Sequence, residues 1–255
     1  TTVSQSVTES SRYTLVTNAN FVDGDNHTGI ENGTAEHPYD TINEGVSHAV
    51  GDAVVYVFDA AGVYEENVVL GDNMIVWGSG CVIEGQVGMT FGSGVFPVVD
   101  GRSRGPTFTL ANNTTLRGLE IRNTEDGAQP SIPFTRTEWG TVDIRRVGVF
   151  ADNATPVTIQ CTHVNSVQYG ALLGMDGSFA VTMENNEFRD AELDGVKIAG
   201  YGASGTFVVD ARQNSFTGNG GAGLEIMSGN YDSAEIGLAD NLADGNTGDG
   251  VWVFA

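Results

Sequence analysis

Short runs alternating apolar with polar residues recur through the second half of the chain, set apart by clusters of Gly, Asp and Asn. Asn186-Glu187-Phe188 is followed by Gly195-Val196-Lys197-Ile198, Asn214-Ser215-Phe216 by Gly223-Leu224-Glu225-Ile226, and Asn241-Leu242-Ala243 by Gly250-Val251-Trp252-Val253. A fainter copy pairs Cys161-Thr162-His163 with Gly170-Ala171-Leu172-Leu173. The copies return at intervals of about 25 to 28 residues, the sequence mark of a stacked architecture. In each run the side chains take opposite sides in turn, so Val196 and Ile198 point one way and Lys197 the other. The gaps are too short and too glycine-rich for helices. The pattern predicts a coil in which each turn lays its strands parallel on the turn before, about 4.8 Å away.

Register makes this testable. Asn186, Asn214 and Asn241 fall in line and are expected to hydrogen-bond along the stack as an amide ladder, with Phe188 and Phe216 stacked beside them. The residue between the two apolar positions faces outward. Leu172, Lys197, Glu225 and Trp252 should therefore form one column on an outer face.

Upstream, the same reading divides the chain into a tail and leading strand over 1–22, a loop and helix over 23–52, and the coil over 53–255. The helix is expected from Asp40 to Val50, capped by Asp40, with Ile42, Val46, Ala49 and Val50 as its apolar face over the open end of the coil. Strands follow at Ala53–Phe58, Asn67–Leu70, Met74–Trp77, Thr107–Leu110 and Thr115–Arg122. Residues 124–140 break the rhythm as a long excursion carrying Arg136 and Trp139, and the core resumes at Thr141-Val142-Asp143-Ile144. The chain ends inside a strand pattern, which suggests further turns or another chain on that edge.

Composition narrows the partners. Thirty-three acidic residues against eleven basic ones give a net charge of −22, and Lys197 is the one lysine. Nucleic acid is an unlikely match for such a surface, anionic membranes are disfavoured, and polyanionic glycans need calcium or a local arginine cluster. No stretch is long and apolar enough for a membrane-spanning helix. Cys81 and Cys161, spaced as if roughly three turns apart, read as two free buried thiols beyond disulfide reach, and His163 reads as core packing. The arginines of the Asp100–Pro106 loop suit either an anionic group or ion pairs with the acidic surface.

Candidate chemistry gathers in two places. Asp23, Asp25 and Glu31 offer oxygens to calcium, or form a solvated turn. Asp190, Glu192 and Asp194 make a carboxylate run before Lys197. Such carboxylates suit general acid/base work on a glycosidic bond or calcium binding through Asp190 and Asp194. Arg136, Glu225 and Trp252 are candidate substrate contacts, Trp252 as a flat platform for a sugar ring.

The chain resembles the right-handed parallel β-helix proteins of pectate-lyase-like fold. The resemblance rests on the repeats above, on Asp23-Gly24-Asp25-Asn26 leading to Gly33-Thr34-Ala35-Glu36-His37-Pro38-Tyr39-Asp40-Thr41-Ile42, and on Gly62-Val63-Tyr64-Glu65-Glu66-Asn67. It implies an all-β, single-stranded right-handed parallel β-helix with an N-terminal capping helix. The family's lyases use calcium-binding carboxylates beside a basic residue, a part that Lys197 or Arg189 would take beside Asp190 and Asp194. Its Gly-His-Gly element is missing here, and its basic-residue motifs find no clear match. Two readings stand: an extracellular or cell-surface module with a structural, glycan-binding or adhesive role, and a calcium-assisted polysaccharide lyase or glycoside hydrolase.

Overall fold

The computed structural model describes residues 19–26, 29–51, 53–84, 90–137, 139–201 and 204–254. The expected tail and the first part of the leading strand, up to residue 18, lie outside them. Three parallel sheets wind around one core, and from Val98 onward each turn contributes one strand to each sheet in order. Sheet I has eight strands: Ala19–Val22, Val54–Val57, Ile75–Gly78, Thr114–Arg117, Val157–Gln160, Phe179–Glu184, Thr206–Arg212 and Ser233–Ala239. Sheet II stacks Val98–Asp100, Glu120–Arg122, His163–Val164, Glu187–Arg189, Ser215–Thr217 and Leu242–Asp244. Sheet III stacks Val68–Val69, Phe108–Thr109, Val147–Asp152, Tyr169–Met175, Val196–Tyr201, Leu224–Gly229 and Val251–Phe254. This is a right-handed parallel β-helix, the hand that parallel crossover connections take.

Alternation sorts the side chains. Val181, Met183, Phe188, Val196 and Ile198 of one turn are all buried, and each packs on its equivalent in the next. Phe188 and Phe216 stack with centroids 5.7 Å apart and planes 9° apart. The asparagine ladder is formed: Asn186 Nδ2 donates to Asn214 Oδ1 at 2.9 Å and Asn214 Nδ2 to Asn241 Oδ1 at 3.0 Å. A second ladder, unforeseen from the sequence, runs beside it through Asn219 and Asn246 at 2.8 Å.

Sheet I turns into sheet II through a two-residue corner whose first residue is in left-handed backbone conformation. Gly118, Cys161, Asn185, Gln213 and Asp240 occupy successive corners, with φ between 48° and 70°. Asparagine, aspartate and glycine are the residues that accept this region most readily.

Three expectations are corrected. The helix, α1, spans Ile42–Ser47, and Thr41 rather than Asp40 caps it, in a reciprocal capping box with Glu44. Ile42 and Val46 are buried, whereas Val50 is fully out in solvent. Pro133–Arg136 and Gly140–Asp143 pair as an antiparallel hairpin, so the coil resumes at Val147 and not at Thr141. His163 stands on the outer face of sheet II, its ring stacked 4.0 Å from that of Phe96 and 3.9 Å from Glu187; strand alternation puts Val164, not His163, in the core.

Candidate functional site

The outer column of sheet III is as the repeat predicts: Leu172, Lys197, Glu225 and Trp252 are register partners. Its first member, Leu172, is covered. The hairpin folds back so that Phe134 and Trp139 pack on Val142, Phe150 and Leu172. Arg136 fastens this arrangement. It is buried, paired with Asp152 and, at 2.6 Å, with Asp176, and lies over the Trp139 ring at 5.7 Å. The pairs with Asp152 and Asp176 hold the hairpin to the coil.

The carboxylate run splits in three directions. Asp190 sits in a left-handed turn, exposed, 3.5 Å from Arg189. Glu192 pairs with Arg146 at 2.6 Å. Only Asp194 joins the column: Lys197 Nζ lies 2.7 Å from Glu225 Oε1 and 3.9 Å from Asp194 Oδ2, while Asp194 Oδ1 accepts the Ala222 N–H at 2.8 Å. Burial pushes the Asp194 carboxyl above its ordinary range, and nearby Glu225 pushes the same way, against the pull of the Ala222 N–H and Lys197. The Tyr169 hydroxyl is raised too, first by burial and then by both carboxylates.

Lys197 therefore holds two half-buried carboxylates together. Lys197→Met is expected to cost about 2 kcal/mol at neutral pH, since it leaves them facing each other uncompensated. The sign of the pH dependence follows from Asp194. Its folded pKa is already raised and rises further without the cation, so the penalty is full above that value and vanishes below the ordinary 3.8. Urea melts at pH 7 and pH 4 should show the gap between variant and wild type closing on acidification.

The N-terminal carboxylates serve the backbone. Asp23 Oδ1 accepts the Asp25 N–H at 3.0 Å, Asp25 Oδ2 the Ala61 N–H at 2.7 Å, and Glu31 Oε2 approaches the Asp40 N–H at 3.5 Å. Among the described residues no three His, Cys, Asp or Glu side chains are grouped to share a metal ion. The arginine loop is ion-paired: Arg104 meets Asp126 at 2.9 Å, and Arg102 meets Glu65. Trp252 is 38% exposed and stacks with Phe254 at 6.0 Å.

A second column, on sheet I, escaped the sequence reading. Phe21, Tyr56, Trp77, Arg117, Gln160, Glu184 and Arg212 are successive register partners on its outer face. Tyr56 meets Trp77 edge-on at 5.7 Å, the Arg117 guanidinium lies 4.8 Å over the Trp77 ring, and Gln160 Nε2 donates to Glu184 Oε2 at 3.0 Å. Beside the column opens a cavity of about 190 Å³, lined by Cys81, Arg117, Gln160, Cys161, Glu184, Asn185 and Gln213.

The two cysteines line one cavity, against the expected separation of about three turns. The turns containing them carry inserted hairpins, at Ile83–Glu84/Thr90–Phe91 and Pro133–Arg136/Gly140–Asp143, so counting residues overestimates the turns between them. The glycine corner at Gly118 leaves the space: a Cβ there would meet Cys81 Cβ at 2.8 Å.

No protein-family model and no curated protein matches the sequence. Among solved structures the chain is similar to pectin methylesterase PemA from Erwinia chrysanthemi, at 13% identity over 82% of this chain and 65% of that one, with a TM-score of 0.36. A pectin methylesterase in complex with hexasaccharide VII gives 13% identity, 82% and 66% coverage and a TM-score of 0.36. The A-module of mannuronan C-5 epimerase AlgE6 from Azotobacter vinelandii gives 16%, 83%, 74% and 0.32. The chain thus spans just under two thirds of the first of these. The β-helix assignment rests on the strand register itself. No helix among the described residues is long and apolar enough to cross a membrane.

Proposed function

We propose that the chain is a glycan-binding β-helix module acting outside the cell or at its surface, with the outer face of sheet I as its binding face. The observation that carries this is the straight column Tyr56, Trp77, Arg117, Gln160 and Glu184 beside an open cavity. Half-buried aromatic rings offer apolar faces to sugar rings, and the amides of Gln160, Asn185 and Gln213 suit hydroxyl groups. One step of the column, about 4.8 Å, is close to the length of one sugar unit, so a linear chain can run along it. The cavity is well below the several hundred Å³ of an enclosing ligand pocket, which favours binding along a surface. With a net charge of −22 and Glu184 beside Arg117, a neutral glycan is the expected ligand.

The test is a panel of neutral and uronate polysaccharides, with and without calcium, scored for binding and for released ends. Trp77→Ala and Gln160→Ala should each weaken binding of a neutral glycan about tenfold, a loss of about 1.4 kcal/mol, while Trp252→Ala leaves it unchanged. Loss of binding with Trp252→Ala alone would move the site to sheet III.

A second reading, a polysaccharide lyase or hydrolase, draws on the raised Asp194 carboxyl beside Lys197 and Glu225. In that case calcium-dependent product release would be abolished by Asp194→Asn.

A further inference from the structure

The corner at Cys161 differs from its neighbours along the stack. Corners on either side carry Gly118, Asn185, Gln213 and Asp240. Glycine has no Cβ to clash in the left-handed region, and asparagine or aspartate can bond the local backbone there. A cysteine does neither, and nor does the glutamine at Gln213, so the corner tolerates Cys161 without calling for it. What distinguishes the position is Cys81, which occupies the space left by the missing side chain of Gly118. Arg117 Nη2 approaches the Cys81 sulfur at 3.8 Å. Both sulfur-bearing residues line the open cavity on sheet I.

We infer that Cys81 and Cys161 are a reactive dithiol that closes to a disulfide between stacked turns of the coil, by exchange with a small-molecule disulfide entering the cavity. Cys81 is the attacking group. The neighbouring Cys161 thiol and the Arg117 charge outweigh burial and lower its pKa from the ordinary thiol value, which favours the nucleophilic thiolate. Cys161 is held up as the thiol, chiefly by the neighbouring Cys81 thiol and then by burial.

The exchange balances in two steps. The Cys81 thiolate attacks one sulfur of R–S–S–R; a Cys81–S–R bond forms, the S–S bond breaks, and RS⁻ leaves. Cys161 then loses its proton to solvent and attacks Cys81 Sγ. The Cys81–Cys161 bond forms as the Cys81–S–R bond breaks, releasing a second RS⁻. Two protein thiols are oxidised and one small disulfide is reduced to two thiols. Closure brings the two sulfurs, both on the wall of one cavity, to about 2.05 Å.

The experiment treats the reduced, folded chain at pH 7 with 2-hydroxyethyl disulfide, a neutral probe suited to an acidic surface. The reaction is quenched in acid and the intact mass and proteolytic peptides are read. The wild type is expected to lose two hydrogens, with no retained hydroxyethyl group, and to yield a peptide pair joined through Cys81 and Cys161. Cys161→Asn puts at this corner the residue found at the next one, Asn185, and so keeps the turn. It should stop at one stable mixed disulfide on Cys81. Arg117→Gln should slow the first step several-fold. Stable hydroxyethyl adducts on the wild type without a cross-link would overturn the inference, as would two thiols left unmodified in the folded chain. These readouts involve no glycan, so they stand or fall apart from the binding reading.

Discussion

Asn214→Ala is expected to lower the melting temperature by about 10 °C, from a loss of about 3 to 5 kcal/mol. The side chain is buried at 2% exposure and closes four hydrogen bonds. Its Oδ1 accepts from Asn186 N at 3.1 Å and from Asn186 Nδ2 at 2.9 Å, and its Nδ2 donates to Met183 O at 3.0 Å and Asn241 Oδ1 at 3.0 Å. Alanine strands both donors of the previous turn inside the wall of the coil, where water cannot replace the lost acceptor. A buried polar group left unpaired costs about 1 to 3 kcal/mol, and relaxation spares part of the sum. Asn241 is a useful contrast. It lies in the last described turn and is only partly buried, so water can reach the groups it leaves, and Asn241→Ala should cost about 1 kcal/mol. Thermal unfolding of both variants by circular dichroism decides the matter. Equal shifts for the two, or a shift for Asn214→Ala of about 2 °C or less, would show that the ladder contributes register and little stability.

The same ladder shows why part of this structure was legible and part was not. Where turns repeat at nearly constant length, alternation and register follow from counting. Asn186, Asn214 and Asn241 landed in line, as did Leu172, Lys197, Glu225 and Trp252. Counting failed where turns take insertions. Trp77, Arg117 and Gln160 are neighbours in one column, but about 40 residues separate each from the next in the chain. No period links them, and the column with its cavity stayed hidden. The same insertions made Cys81 and Cys161 look distant. The signal that was available is local: Arg117 precedes Gly118, Gln160 precedes Cys161 and Glu184 precedes Asn185, each a residue next to a corner. The carboxylate run misled for a different reason. Spacing in a turn does not set side-chain direction, and the chain's path sends Asp190, Glu192 and Asp194 to different partners.

The glycine that opens each repeat carries the other large effect, and Gly195→Ala is expected to cost about 3 kcal/mol or more. Gly170, Gly195, Gly223 and Gly250 stack in the corner leading into sheet III, packed backbone on backbone. A Cβ on Gly170 would lie 2.1 Å from the Gly195 carbonyl oxygen; one on Gly195 would lie 2.6 Å from the Gly223 oxygen and 2.8 Å from Asn219 Nδ2. These are contacts with a carbonyl and with the second asparagine ladder, neither of which can swing aside as the tip of a long side chain would. Relief requires the turns to part, which lengthens the Gly195 N–H bond to Ala222 O and the Val196 N–H bond to Gly223 O, now 2.9 and 3.0 Å. Overpacking by a single carbon costs about 1 to 3 kcal/mol in an ordinary core, and the strained hydrogen bonds add to it. Gly62→Ala supplies the control, since a Cβ there meets nothing within 4 Å and the backbone is not left-handed; it should be neutral or stabilise by a few tenths of a kcal/mol. Urea titrations with a shared slope separate the two through their midpoints. A Gly195→Ala midpoint equal to that of Gly62→Ala would mean that the coil opens at this corner at almost no cost, and that the repeated glycine reflects the turn rather than the approach of successive backbones.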